Sequence, residues 1–280
     1  MKAIILNLSA WAVLPFMDTI AKYLSTELSF FQITWARYFF TVFWTLPFMF
    51  IFFRKKLTFS ENPKLQILRG LTLFSANICF FYSISVISMA KALTLAFVAP
   101  LVTTALSPVL LGEKVGIRRW VAVIVGFIGS LVVIRPGFIE FNLATIAALG
   151  TGCLYGVYLI ITRKLHSTDN PLLTLLLTGI VGATISTFFV PIVWVNPTNV
   201  QWLWLSIMGI FACLGHILLI YSLRYADASK LAPFGYFEII PNIILAYYVF
   251  NDFPDLWTFL GLIIIISSGI YIFRREMNYR

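Results

Sequence analysis

Apolar stretches long enough to cross a lipid bilayer recur along the whole of this 280-residue chain. Residues 33–53, for example, form a run of 21 residues in which Arg37 is the only charge. About 20 apolar residues span the hydrocarbon core as a helix, and lipid leaves unpaired backbone groups without a partner. The composition, 60% hydrophobic and 11% charged, also differs from that of a soluble domain. The sequence therefore predicts an all-α membrane protein.

Ten spans fit this pattern. They are predicted at Ile4–Ile20, Ser29–Phe53, Leu65–Ile87, Ala92–Leu111, Trp120–Ile134, Leu143–Thr162, Leu172–Trp194, Val200–Tyr221, Leu231–Phe250 and Leu256–Phe273. Basic residues set their orientation. If the N-terminus is cytoplasmic, 16 of the 20 Lys and Arg lie in inner segments and three in outer ones, as the positive-inside rule requires. We predict a multi-pass protein of the cytoplasmic (inner) membrane with both termini cytoplasmic. The net charge of +9 reflects this topology and does not indicate nucleic-acid binding.

Two parts of the chain repeat each other 139 positions apart. Residues 81–84 match residues 220–223 without a gap, and the same offset pairs Glu113 with Asp252. Five spans per half is an odd number, so the second half enters the membrane from the opposite side. The sequence therefore predicts two inverted five-helix repeats. An inverted repeat gives one protein two near-equivalent arrangements, which is the physical basis of alternating access in transporters.

The repeats are assigned to residues 1–137 and 138–280, because Pro136 and Gly137 stop a helix at the midpoint. No polar connection is long enough to form a soluble domain.

Glu238 lies near the middle of the ninth span, where a carboxylate is costly and is usually functional. Helical spacing places Phe234, Pro241 and Asn242 on its face. One interpretation is that Glu238 binds a solute. The alternative is a permanent ion pair with Arg37 of the second span, which itself either serves function or locks helices together.

The first span carries Asn7, Trp11, Pro15, Asp18 and Lys22 at spacings of three and four, which form one stripe on a helix. Trp11 is a candidate for a cavity wall. Asp18 is a candidate for coupling or gating, or else an interfacial ion pair with Lys22.

Aromatic and polar side chains mark four further spans. The sixth carries Tyr155 and Tyr158 on one face, whose hydroxyl tips need partners inside lipid, and the fourth carries Phe97. Asn77 and His216 occupy equivalent places in the two copies, deep in apolar spans. Each either forms a hydrogen bond between helices or contacts a solute, and His216 could also carry protons.

The chain has no phosphate-binding loop, no HExxH and no paired cysteines, so no catalytic residue, cofactor or metal site is predicted. A lipid-modifying membrane enzyme would need paired carboxylates or a nucleophile at one depth, and only Glu238 qualifies. A non-transporting receptor or assembly subunit remains an alternative.

Motifs at the ends of spans resemble those of EamA-type members of the drug/metabolite transporter superfamily. They are Ala99-Pro100, Leu111-Gly112-Glu113-Lys114, Trp120, Gly126, Gly129, Arg135-Pro136-Gly137, Ala226-Asp227-Ala228-Ser229 and Ala232-Pro233-Phe234-Gly235-Tyr236. The second repeat departs from the family at Asn251 and Asp252, where Gly and Glu are usual.

The resemblance implies a central cavity lined by spans 1, 3, 4, 6, 8 and 9. The residues that would converge there to bind substrate are Trp11, Asn77, Phe97, Tyr155, Tyr158, His216, Glu238 and Asn242, with Asp18 and Arg37 as candidates for coupling or gating. The segment 232–236 is similar to that of members assigned to S-adenosylmethionine or amino-acid-like metabolites.

We therefore expect a secondary active transporter, not an enzyme, that moves a small cationic or zwitterionic metabolite across the membrane. Glu238 among aromatic rings favours positive charge, and a proton on Glu238 would make it a coupling site. The alternative within the fold is an exporter of amino acids or drugs. The protein is expected to act as a monomer or homodimer.

Overall fold

The computed structural model describes residues 1–53, 60–134 and 142–251, together with isolated positions of the last span between 256 and 271. All regular elements in this part of the chain are helical. The α-helices are α1 (Lys2–Leu24), α2 (Phe30–Phe53), α3 (Pro63–Val86), α4 (Met89–Ala96), α5 (Ala99–Leu111), α6 (Ile117–Ile134), α7 (Leu143–Lys164), α8 (Pro171–Phe189), α9 (Asn199–Tyr225), α10 (Ala228–Leu231) and α11 (Ile239–Phe250). Two 3-10 helices, Val190–Val193 and Ala232–Glu238, join α8 and α11 to their neighbours.

Within the described residues, seven helical stretches are long and apolar enough to cross a membrane. The all-helical membrane fold is therefore confirmed, whereas the count of ten stays a prediction. The last span is described only at isolated positions, and the predicted boundary between residues 137 and 138 lies outside the described residues, as does Asp252.

The helices pack around α1. This helix lies along α9 and also contacts the 3-10 helix Ala232–Glu238 and α11. On either side, α3 packs against α7 and α2 against α8 and α9. Buried apolar side chains from most of these helices form one continuous core.

Two spans are interrupted rather than continuous. The fourth breaks at Phe97 and Val98, just before Pro100, a residue type that commonly interrupts helices. The ninth changes from α10 to the 3-10 helix Ala232–Glu238 before α11 begins. Backbone groups freed by such breaks are tolerated in a membrane where they are buried in protein or line a cavity.

The two copies share backbone features at equivalent positions. Met89 and Ala228, 139 residues apart, begin α4 and α10. Gly112 and Asn251, again 139 apart, end α5 and α11 in the left-handed conformation, with φ of 67° and 56°. Asn tolerates this conformation better than other residues with a side chain, so the departure from Gly at position 251 preserves the local structure.

Gly209 allows α9 to approach α2 closely. A Cβ atom there would lie 2.3 Å from Phe40 Cβ and 3.1 Å from its backbone carbonyl carbon. Because backbone atoms cannot move aside without shifting α2, we expect Gly209→Ala to destabilise the protein by about 1–3 kcal/mol, the usual range for overpacking. Thermal unfolding in detergent measures the change. Gly150→Ala is the control, since nothing lies within 4 Å of its added Cβ, and equal melting temperatures for the two variants would contradict the prediction.

Candidate functional site

A cavity lies between the two repeats, and its empty space, open solvent included, is about 900 Å³. Its walls come from α1, α3, α4, α5, α7, α9, α10 and the 3-10 helix Ala232–Glu238, which belong to the six spans that the family resemblance implies. Of the predicted binding residues, the walls contain Trp11, Asn77, Phe97, Tyr155, His216 and Glu238, and they also contain Asp18. Arg37, Tyr158 and Asn242 are not among the residues that line this cavity.

Glu238 reaches the cavity because the segment before α11 is a 3-10 helix. With three residues per turn, Glu238 shares a face with Gly235, and both line the cavity. Gly235 itself lies close to the Trp11 ring. The predicted α-helical face does not include Phe234 for this reason, since four residues do not complete a whole number of turns in a 3-10 helix. Asn242 is buried elsewhere and donates through Nδ2 to the Glu238 carbonyl oxygen over 3.0 Å.

Asp18 joins Glu238 at the cavity, and the two carboxylates are close enough to interact electrostatically. In the part of the chain that the structure describes, neither forms an ion pair. The alternative in which Arg37 neutralises Glu238 is therefore wrong. Lys22 does not pair with Asp18 either, and its Nζ donates to the backbone carbonyls of Ile84 and Ile87.

The Trp11 ring is held in place by hydrogen bonds across two helices. Its Nε1 donates to Asn7 Oδ1 over 2.8 Å, and Asn7 Nδ2 donates to Ser222 Oγ of α9 over 3.2 Å. The ring centroid lies 6.0 Å from that of Tyr155. An oriented aromatic wall beside carboxylates is a common setting for binding a desolvated cation.

Tyr155 is the one wall residue with an unsatisfied hydroxyl among the side chains described. Its Oη is buried and has no hydrogen-bond partner. The ring is fixed between Trp11 and Tyr158, whose centroid is 5.2 Å away. Buried hydroxyls normally have a hydrogen-bond partner. The described part of the protein supplies none for this hydroxyl.

Asn77 and His216 form the helix-to-helix hydrogen bonds that were one of the roles considered for them, and contact with a solute stays a prediction. Asn77 Nδ2 donates to Tyr38 Oη over 2.9 Å, which links α3 to α2. His216 Nε2 lies 2.6 Å from Arg37 Nη2 and its Nδ1 lies 3.1 Å from Tyr158 Oη. An arginine can only donate, so we assign Nε2 as the acceptor and Nδ1 as the protonated nitrogen. Both residues thus form helix-to-helix hydrogen bonds and also line the cavity.

Arg37 and Tyr158 belong to a polar network behind the cavity wall, and Arg69 is its centre. Arg69 lies within the predicted third span, Leu65–Ile87, and its side chain is fully buried within α3. Its guanidinium donates to Tyr158 Oη and Thr162 Oγ1, each over 2.7 Å, and to Thr178 Oγ1. A sequence signal existed: position 69 is the seventh residue of an apolar helix that begins at Pro63.

Polar contacts between the two repeats lie at one end of the cavity, beside α10. Glu113 accepts hydrogen bonds from the backbone N–H groups of Ala228 and Ser229, each over 2.9 Å. Arg163 Nε lies 3.5 Å from Glu113 Oε1, and its Nη2 lies 3.0 Å from Asp227 Oδ1. We call these five residues the Glu113 cluster. Ala228 is also part of the cavity wall, so the cluster holds α10 in position at that end.

Comparisons with known proteins agree on what this arrangement is. The model of the EamA-like transporter family matches residues 1–135 and 142–274. The chain is 31% identical over 259 residues to an S-adenosylmethionine uptake transporter of Rickettsia bellii, covering 92% of this chain and 89% of that one. It is 29% identical over 188 residues to a riboflavin transporter of Vibrio cholerae, covering 66% and 63%.

A solved crystal structure that is 17% identical in sequence superposes with a TM-score of 0.75 over 95% of this chain and 94% of the other. At this identity the match supports the fold alone. The two family matches together span nearly the whole chain, and the related proteins named above are transporters of small metabolites. The chain therefore belongs to the EamA-like transporter family and is a multi-pass membrane transporter of small metabolites rather than an enzyme.

Proposed function

We propose that the protein carries a small organic metabolite with a positive charge, either a cation or a zwitterion, across the cytoplasmic membrane by alternating access. The observation that carries this proposal is the pair Asp18 and Glu238, which face the cavity and form no ion pair among the described residues, although the charge of Arg37 acts on Asp18 from behind the cavity wall. Leaving two carboxylates unpaired in a membrane is costly unless a ligand neutralises them. S-adenosylmethionine, the named substrate of the relatives that match over 92% of the chain, carries such a charge.

A proton would neutralise one of the two carboxylates when no ligand is bound. Two neighbouring carboxylates cannot both stay ionised cheaply at close range, so a proton on Glu238 or Asp18 stabilises the empty carrier. The ligand and the proton then compete for the same carboxylate oxygens. This competition couples transport of the ligand to transport of the proton. Both termini are proposed to be cytoplasmic, which places the Glu113 cluster at the inner end of the cavity.

Uptake of labelled S-adenosylmethionine into proteoliposomes tests the proposal. In Glu238→Gln we expect the affinity to fall at least about tenfold, because a hydrogen bond to a charged group contributes about 1.5–3 kcal/mol. An imposed proton gradient should change the uptake of wild type and leave that of Glu238→Gln nearly unaltered. The matched control is Glu61→Gln, whose side chain is exposed.

Unchanged binding and uptake in Glu238→Gln would contradict the proposed role of this carboxylate. Saturable uptake of riboflavin that is insensitive to Glu238→Gln would instead identify a neutral flat ligand, held by the aromatic wall alone. Uptake of neither compound by the wild type, with lysine and choline also inactive, would exclude a positively charged substrate.

A further inference from the structure

The unpaired hydroxyl of Tyr155 has no role in holding the protein together. Its oxygen is buried and makes no hydrogen bond within the described residues, although the residue lines the cavity. A buried hydroxyl without a partner loses the hydrogen bonds that water gave it. By contrast, Tyr158, three residues along the same helix, bonds to both Arg69 and His216.

The position of Tyr155 is fixed by its helix. Gly152 and Gly156 let α7 press against the interrupted fourth span: a Cβ at Gly152 would lie 2.4 Å from the Ala96 carbonyl oxygen, and one at Gly156 would lie 3.0 Å from that of Ala99. The Tyr155 ring packs against Trp11 in the cavity wall and against Tyr158 behind that wall. The hydroxyl is therefore preorganised, which lowers the entropic cost of binding to it.

Charges of both signs surround this hydroxyl. Arg37, Asp18 and Glu238 each lie close enough to Tyr155 to interact with it electrostatically. Arg37 is 1% exposed and has no ion pair in the described part of the chain. A negatively charged acceptor beside Tyr155 would gain from the Arg37 charge, while a cation on the same ligand would gain from the two carboxylates.

We propose that Tyr155 donates a hydrogen bond to a carboxylate of the ligand, so that the substrate has an α-amino-acid head group rather than positive charge alone. This inference rests on the proposed function, since it assumes that Glu238 and Asp18 hold the ammonium or other cationic group. Tyr155 then distinguishes amino acids and their derivatives from amines of the same shape.

Two matched pairs of ligands test the inference: S-adenosylmethionine with its decarboxylated form, and lysine with cadaverine. Each decarboxylated member carries one more net positive charge, so simple attraction to two carboxylates favours it. We expect the wild type to bind the carboxylate-bearing member about tenfold more tightly, the effect of one hydrogen bond to a charged group. In Tyr155→Phe this preference should disappear. The ligand that bears the carboxylate should bind more weakly, and the binding of its decarboxylated partner should not change. Thermal shift of the purified protein gives the affinities.

The melting temperature without ligand provides a second measurement. Tyr155→Phe should unfold no lower than the wild type, because it removes a hydroxyl that nothing in the described protein satisfies. Tyr158→Phe should unfold lower, and Tyr248→Phe, on an exposed site, should match the wild type. These controls separate a lost ligand contact from a damaged fold.

Glu238→Gln separates the two proposals. This variant should weaken the binding of both members of each pair, because both members carry the cationic group. If it weakens neither, the proposed function fails while the preference within each pair still reports on Tyr155. Equal affinity of the wild type for both members, or an equal loss of both in Tyr155→Phe, would overturn the carboxylate contact and leave the cation site intact.

Discussion

Replacing Glu113 with glutamine should reduce transport about 100-fold, although the residue lies outside the cavity wall. Each Glu113 oxygen accepts one backbone N–H of α10, and a hydrogen bond to a charged group contributes about 1.5–3 kcal/mol. Glutamine offers one oxygen and places an amide donor against the second N–H. A loss of about 3 kcal/mol changes the ratio of closed to open states at this end about 100-fold.

Uptake and chemical labelling together measure this effect. Leu231→Cys, in the cavity wall next to the Glu113 cluster, is placed in a background with Cys79, Cys153 and Cys213 replaced by alanine or serine. A membrane-impermeant thiol reagent should label it faster from the cytoplasmic side when Glu113→Gln is added. Glu61→Gln is the matched control. Unaltered uptake and labelling would show that the Glu113 cluster does not close the cavity.

Arg69→Ala should produce the largest loss of stability. The change removes a fully buried guanidinium, leaves Thr162, Thr178 and the Thr174 carbonyl without their donor, and opens a space beside the Tyr158 ring. Unpaired buried groups and cavities each cost a few kcal/mol, so we expect about 4 kcal/mol and a fall in melting temperature of about 10 °C.

Two further variants serve as controls for the melting temperature of Arg69→Ala. Arg69→Lys keeps the charge but has no planar fork to reach several acceptors at once, and it should fall between wild type and Arg69→Ala. Arg224→Ala, on an exposed site at the end of α9, should leave the melting temperature unchanged. A melting temperature of Arg69→Ala equal to that of Arg224→Ala would contradict a structural role for the buried network.

Helix positions were largely predictable from the sequence, because apolar length and basic ends are properties of single segments. The predicted first and sixth spans, 4–20 and 143–162, lie within α1 and α7. The fifth span was predicted three residues too short at its start, since Arg118 and Arg119 read as loop residues although α6 begins at Ile117.

Side-chain partners were less predictable, because they depend on local helix type and on packing between distant segments. Phe234 was placed on the face of Glu238 because the segment was taken as α-helical, whereas residues 232–238 wind as a 3-10 helix. The alternative in which Arg37 pairs with Glu238 rested on charge alone, whereas Arg37 contacts Met17 Sδ and His216. The partners of Arg69 were not predicted, because the three threonine acceptors that satisfy it lie about 90 to 110 residues further along the chain.

The interrupted spans differ between the two halves of the molecule. The first half breaks over Phe97 and Val98, while the second winds as a 3-10 helix through seven residues. Halves related by an exact two-fold axis in the membrane plane would make the inward-facing and outward-facing carriers equal in energy. Because the two breaks differ, the two states are expected to differ in energy. Substrate should therefore half-saturate the protein at different concentrations on its two faces, even though the gradient alone decides the direction of net flow.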